Sequence, residues 1–135
     1  MNIQDSLDKI LNTQDVFGEI FYDVFFDQYP EAETYFRGMD MHRQALVLTM
    51  SLKLVEEYSL NGYLAIEKYL EYLGNKHSDR GIPKELYPKW RDSMLVALKR
   101  FHGDEWTDAL GSEWRLAIDG ASDVLFRGYD HRSPF

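Results

Sequence analysis

Residues 69–87, "YLEYLGNKHSDRGIPKELY", combine a helical apolar stripe with a histidine and an abrupt helix end. The apolar side chains step by three and four residues through Leu70 and Leu73 to His77, which is the spacing of one face of an α-helix. Glycine and proline in residues 81–83 then end the helix shortly afterwards. This pattern predicts that the His77 imidazole lies at the mouth of a groove, where it is a candidate ligand. The alternative is a rim histidine that bonds to a backbone carbonyl.

Helical periodicity continues along the rest of the chain. It predicts helices over residues 4–13, 15–28, 30–36, 41–57, 63–78, 84–102 and 106–127. Asp15 and Asp40 are candidate N-caps, and Pro30 ends one helix and begins the next. No stretch alternates as a strand would, and 135 residues suit one domain. We therefore expect an all-α domain over residues 1–128, followed by a C-terminal tail over residues 129–135.

The overall composition limits the possible binding partners and the cellular compartment of the protein. The formal net charge of −8 disfavours nucleic acid or an anionic membrane surface as a partner, because both attract basic patches. Cysteine is absent, which excludes disulfides, a thiolate nucleophile and cysteine-bound metal centres. No apolar run approaches the roughly 20 residues of a membrane span, and no signal peptide is visible at the N-terminus. We therefore expect a cytoplasmic protein.

A second polar side chain complements His77 from another predicted helix. Gln44 lies beside Ala45 and Leu48, so its amide points towards the same interior space from the opposite wall. One imidazole facing one neutral amide suits the iron of a haem, because the porphyrin supplies the other four nitrogens. Zinc needs three or four protein ligands, and the histidines at positions 42, 77, 102 and 131 form no HExxH pattern.

Four segments, taken in order, resemble bacterial single-domain globins and the haem domain of flavohaemoglobins. The resemblance covers roughly residues 7–127. The segments are "FYDVFFDQYPEAETYF" at 21–36, "DMHRQALVL" at 40–48, "LGNKHSDRGIPKELY" at 73–87 and "EWTDALGSEWRLAI" at 105–118. The resemblance implies a globin fold, a three-over-three helical sandwich, which holds haem b with His77 as the iron ligand.

On the distal side of the haem, the resemblance implies a pair of polar residues that meet dioxygen. Tyr22 falls where such globins carry a distal tyrosine, and Gln44 falls at the distal position of the next long helix. The Tyr22 hydroxyl would donate a hydrogen bond to dioxygen, and the pair is the candidate catalytic set. Phe36 resembles the phenylalanine that stacks on the haem, and Leu48 lies one turn after Gln44.

One alternative concerns the register of this distal helix. If the helix is rotated, His42 becomes the distal residue with Leu46 behind it, and a sixth iron ligand becomes available. We prefer Gln44, because that register gives the cleaner apolar stripe through Ala45 and Leu48. His42 would then lie near the haem edge or in solvent.

On the proximal side, the resemblance implies that Tyr87 helps to orient the His77 imidazole. Flavohaemoglobins also use a glutamate of the last helix there, whereas this chain has Gly128 or Tyr129 at the corresponding place. That departure argues against strong peroxidase-like activation. The other predicted cofactor contacts are Leu73 and Ile82, together with Lys76 and Arg80 as partners of the haem propionates; the alternative for the last two is a pair of solvated charges.

The function implied by the resemblance is reversible binding of dioxygen, with NO and CO as further gas ligands. Dioxygenation of nitric oxide is a natural extension, although the chain has no GxGxxG pattern and would need an external reductase. A haem-based gas sensor or regulatory module that acts through a partner protein is the first rival. A cofactor-free helical interaction domain is the second.

Overall fold

The computed structural model describes residues 1–14 and 16–130. Within these ranges it contains helices and no strands, which confirms the all-α prediction. None of the helices in the described part of the chain is long and apolar enough to cross a membrane. The α-helices are α1 (Ile3–Leu11), α2 (Val16–Gln28), α3 (Met41–Asn61), α4 (Leu64–Asp79), α5 (Leu86–His102) and α6 (Asp108–Asp130), with 3-10 helices at Pro30–Phe36 and Gly103–Glu105.

The helix ends follow local capping chemistry, which explains where they differ from the predicted bounds. Asp40 caps α3 as predicted, since its carboxylate accepts hydrogen bonds from the backbone N–H groups of His42 and Arg43. The same helix runs one turn further than predicted, to Asn61, and is capped by Gly62, which adopts a left-handed conformation with φ of 60°. The last helix begins later than predicted because the Thr107 hydroxyl accepts a hydrogen bond from the backbone N–H of Leu110.

Helix α6 extends past residue 128, the last residue before the predicted tail. Tyr129 and Asp130, the first two residues of the predicted tail, belong to the last turn of α6. The rest of the predicted tail, residues 131–135, lies outside the described residues, as does the predicted cap Asp15. Tyr129 is partly buried, so the ordered domain includes at least one residue beyond the predicted boundary.

The core lies between two main helix pairs. Helix α4 packs along α6 and α2 packs against α5, while α3 contacts both α2 and α6. Apolar residues at helical spacing supply the interior, as the sequence pattern predicts. The largest fully buried side chains include Phe17, Phe21, Phe25, Leu98, Trp114 and Ile118.

The crossing of α4 and α6 is unusually close, because glycines face backbone at the contact. A Cβ atom on Gly74 would overlap the carbonyl group of Leu125, and one on Gly128 would overlap the carbonyl oxygen of Glu71. Only glycine allows backbones to approach this closely. Asn75 adds a hydrogen bond of 3.2 Å from its side-chain amide to the Gly128 carbonyl. The end of α4, which carries His77, is therefore held firmly against α6.

Candidate functional site

A largely apolar cavity lies between α2, α3, α4, α5 and α6. It is lined by every predicted site residue except Lys76, namely Tyr22, Phe36, Gln44, Leu48, Leu73, His77, Arg80, Ile82 and Tyr87. The structure thus brings both walls of the predicted site together. The Lys76 ammonium instead lies over the ring of Tyr72, 5.3 Å from its centroid. Lys76 does not line the cavity, because a residue just before His77 lies on a different side of α4. Its contact with a haem propionate stays a prediction.

His77 reaches the cavity from the last turn of α4. Its Nδ1 atom lies 2.7 Å from the hydroxyl oxygen of Tyr87, so the described hydrogen bond occupies one ring nitrogen and leaves Nε2 for a ligand. Burial lowers the pKa of His77, and the positive charge of Arg80 lowers it further. The ring is therefore neutral at neutral pH, which is the form that binds a metal.

Two tyrosines extend this contact towards α6. The Tyr129 hydroxyl donates a hydrogen bond of 2.8 Å to the Ile82 carbonyl oxygen, and its oxygen lies 3.2 Å from that of Tyr87. The backbone N–H of Ile82 donates to the carbonyl oxygen of His77 at 3.0 Å. Burial raises the pKa of both Tyr87 and Tyr129, so both hydroxyls keep their protons at neutral pH.

On the opposite wall, α2 contributes Tyr22 and α3 contributes Gln44. Burial raises the pKa of Tyr22 to about 12, an effect partly offset by a hydrogen bond with the Gln44 side chain. The Tyr22 hydroxyl therefore remains a proton donor at neutral pH. The Phe36 ring packs edge-on against Tyr22, with centroids 5.3 Å apart and an interplanar angle of 67°.

The distal register follows from the contact between α2 and α3. A Cβ atom on Gly18 would overlap Ala45, so the two helices cross closely there and orient α3. Gln44 lines the cavity, whereas His42 is exposed and lines a separate open cleft that also contains Glu19 and Asp23. The structure therefore places the Gln44 side chain, and not that of His42, on the wall of the cavity that contains His77.

The donor set fits a haem rather than a protein-chelated metal ion. In the described residues, no group of three or more His, Cys, Asp or Glu side chains is arranged to hold a metal ion. What the cavity offers is one neutral imidazole, apolar walls and a phenol–amide pair opposite. Arg80 adds a cationic group at the exposed edge. A porphyrin needs one axial ligand from the protein, apolar contact for its faces and cations for its carboxylates.

Sequence reasoning missed several residues of the site. Tyr129 was considered only as the replacement for a glutamate, and nothing in the helical pattern signals its contact with Ile82. Several other residues that line the cavity belong to α5 and α6, and helix periodicity does not distinguish a core wall from a cavity wall. These include Trp90, Ile118, Ala121 and Leu125.

Fold and site together define an all-α domain that presents one imidazole and a facing tyrosine–glutamine pair to an apolar cavity. The family model described as Globin matches residues 19–125, which is most of the chain. The chain belongs to the globin family. In structure it is similar to a bacterial globin from Campylobacter jejuni, with a TM-score of 0.77 and 21% identity over 96% of this chain and 95% of the other. The predicted globin fold is thereby confirmed.

Two curated relatives share weaker sequence similarity with the chain. Leghemoglobin-1 of Lupinus luteus is 26% identical over 79 residues, which cover 58% of this chain and 51% of that protein. A flavohemoprotein of Rhizobium meliloti (strain 1021) is 26% identical over 107 residues, which cover 78% of this chain and 26% of that protein. The chain therefore spans about half or less of the length of these relatives.

Proposed function

We propose that the protein binds haem b in this cavity, with His77 as the iron ligand, and binds dioxygen reversibly. The observation that carries the proposal is the position of a neutral imidazole across one apolar cavity from the Tyr22–Gln44 pair. When bound, the haem supplies an iron with a position open to diatomic gases. Membership of the globin family supports the same conclusion.

The proximal residues hold and orient the cofactor. The hydrogen bond between Nδ1 of His77 and Tyr87 fixes the ring, so that Nε2 is available on the cavity side. Leu73 and Ile82 supply apolar contact beside it. Arg80 is the residue that we assign to a haem propionate, because its guanidinium lies at the exposed edge of the cavity.

The distal residues select and retain the gas. The Tyr22 hydroxyl is buried and protonated, so it donates a hydrogen bond to dioxygen in a dry site, and Gln44 orients that hydroxyl. A hydrogen bond to a strongly polarised acceptor contributes about 1.5–3 kcal/mol, or roughly tenfold to a hundredfold in affinity. Phe36 and Leu48 exclude water from the same space. CO and NO fit the same site, although CO gains less from the donor because it is less polarised.

We extend the proposal to nitric oxide dioxygenation supported by a separate reductase. In the net reaction, one NO, one O₂ and one electron give one nitrate ion, so sustained turnover needs an electron donor. The tyrosine donor that retains dioxygen also favours its reaction with NO over its loss. The similarity to a flavohemoprotein supports this extension.

The absorption spectrum of the purified protein, before and after addition of hemin, tests the proposal. We expect a Soret band that shifts on reduction and again on exposure to O₂ or CO. Absence of the band after hemin addition would overturn haem binding. Consumption of NO with an added reductant, compared with the rate of autoxidation, then separates an enzyme from a simple O₂ carrier.

A further inference from the structure

We propose that Tyr129 is a positioning residue that fixes the proton of the His77 imidazole on Nδ1, acting through Tyr87. The three side chains form a one-way relay of hydrogen bonds that ends on the Ile82 carbonyl. The inference rests on the proposed haem binding, because its consequence is the donor strength of the imidazole towards iron.

The direction of the relay follows from its last acceptor. The Ile82 carbonyl oxygen has no proton, so the Tyr129 hydroxyl uses its single proton in the 2.8 Å bond to it. The 3.2 Å contact between the two hydroxyl oxygens must then be made by the proton of Tyr87. Tyr87 has no further proton for the 2.7 Å contact with His77, so it accepts a hydrogen bond from Nδ1–H there.

The opposite arrangement leaves a defect in the network. If the Tyr87 proton pointed at Nδ1, no proton would lie between the oxygens of Tyr87 and Tyr129 while Tyr129 donated to Ile82. Two partly buried oxygens would then face each other at 3.2 Å without a hydrogen bond. The relay therefore favours the tautomer with Nδ1–H and a free electron pair on Nε2, facing the cavity.

The geometry is held at both ends. Tyr129 lies in the last turn of α6, next to the Gly128 contact with α4. Its ring packs edge-on against Tyr87, with centroids 5.9 Å apart, and against Phe126 at 6.0 Å. At the other end, the Ile82 N–H bonds to the carbonyl oxygen of His77, so side chains and backbone close one loop of hydrogen bonds.

The relay sets the electronic character of the proximal ligand. It ends on a neutral carbonyl, so it polarises the Nδ1–H bond without drawing the proton away as a carboxylate would. Hydrogen bonds in a chain strengthen one another, so removal of the Tyr129 hydroxyl weakens the His77–Tyr87 bond although neither partner is changed. This coupling is what distinguishes a positioning residue from a packing residue.

The experiment is resonance Raman spectroscopy of the ferrous haem-loaded protein, which reports the iron–imidazole stretching frequency. We expect Tyr129→Phe to shift the band to lower frequency and Tyr87→Phe to shift it further in the same direction. Tyr129→Leu provides a second hydroxyl deletion with a different shape, in case Tyr129→Phe fails to fold. Tyr69→Phe, at an exposed tyrosine of α4, is the matched control and should leave the band unchanged.

The outcomes separate this inference from the proposed function. An unchanged band in both Tyr129 variants, even with a lowered melting temperature, would overturn the inference and reduce Tyr129 to an anchor of α6. A wild-type protein that binds haem without an iron–imidazole band would instead overturn the assignment of His77 as ligand, on which the relay depends.

Discussion

Two histidines occupy equivalent local settings at the ends of two helices, yet the structure gives them different surroundings. His77 lies in the last turn of α4 and contacts the hydroxyl of Tyr87 at 2.7 Å. His102 is the last residue of α5 and contacts the hydroxyl of Ser6 at 2.6 Å. Burial lowers the pKa of both imidazoles. Judged by the first hydrogen bond alone, either residue could be a ligand.

The second ring nitrogen separates them. At His77 it is left to the cavity. His102 instead contacts Ser6 and Trp106, and its Nδ1 is buried without a partner among the described residues. Trp114 Nε1–H donates to the Ser6 hydroxyl at 2.9 Å, which ties α1, α5 and α6 together. A ligand histidine is therefore defined by the space beside its free nitrogen, and a structural histidine by the absence of that space.

The largest expected effect comes from deleting the two imidazoles separately. We expect His77→Ala to lose the iron–imidazole spectrum and most of its haem, since the site has one axial ligand to give. His102→Ala should keep the wild-type ferrous and carbonmonoxy spectra while losing stability. Absorption spectra of both variants after hemin addition make the measurement.

The His77 deletion has a chemical rescue that sharpens the comparison. His77→Gly leaves a space in which free imidazole can replace the side chain, so added imidazole should restore the spectrum. Haem retention by His77→Ala with unchanged spectra would contradict the ligand assignment. Loss of the spectrum in His102→Ala alone would make His102 the iron ligand and His77 the structural residue.

The next effect comes from removing a hydroxyl at the cavity. Tyr22→Phe should accelerate dissociation of O₂ by roughly tenfold to a hundredfold, because a hydrogen bond to a strongly polarised acceptor contributes about 1.5–3 kcal/mol. Stopped-flow displacement of O₂ by CO measures the rate. Tyr29→Phe, at a partly buried tyrosine outside the cavity, is the control and should match the wild type. An unchanged rate in Tyr22→Phe would remove that residue from the site.

Removing the Ser6 hydroxyl, which contacts His102, should affect stability instead. Ser6→Ala leaves the His102 Nε2 atom and the Trp114 indole N–H without their partner, and each buried unpaired group costs about 1–3 kcal/mol. The free energy of unfolding, from urea denaturation followed by circular dichroism, should fall by that order while O₂ dissociation stays unchanged. Ser112→Ala, at an exposed serine of α6, controls for the loss of a hydroxyl in a helix.

The difference between the surroundings of His77 and His102 shows which features the sequence can predict. Helical spacing identified the helices and the facing walls, because periodicity reports which face is buried. It also singled out His77, which ends an apolar stripe just before a helix break, but it predicted nothing about the surroundings of His102. The contact of Tyr129 with Ile82 was not predicted, because contacts between α6 and the turn after α4 depend on how the helices cross, which no single segment encodes.

The smallest expected effect is a pH dependence of stability that belongs to His102. Its pKa lies below the ordinary value of 6.5 because burial disfavours the charged ring; nearby Glu105 raises the pKa and Lys9 lowers it. Below about pH 6.5 the unfolded chain therefore binds more protons than the folded one, and the free energy of unfolding falls as the pH is lowered. Above pH 6.5 this contribution is fully present.

A neutral replacement isolates that contribution from the other titrating groups. His102→Gln cannot titrate, so its free energy of unfolding should depend less on pH between about pH 6.5 and 5 than that of the wild type. His77 also has a lowered pKa, but it is present in both proteins and cancels in the difference. Carboxylates with lowered pKa values, such as Glu31 and Glu57, act mainly below this window. If the free energy of unfolding depended equally on pH in the two proteins, burial would not disfavour the charged His102 ring. The contrast between His102 and His77 would then rest on iron coordination alone.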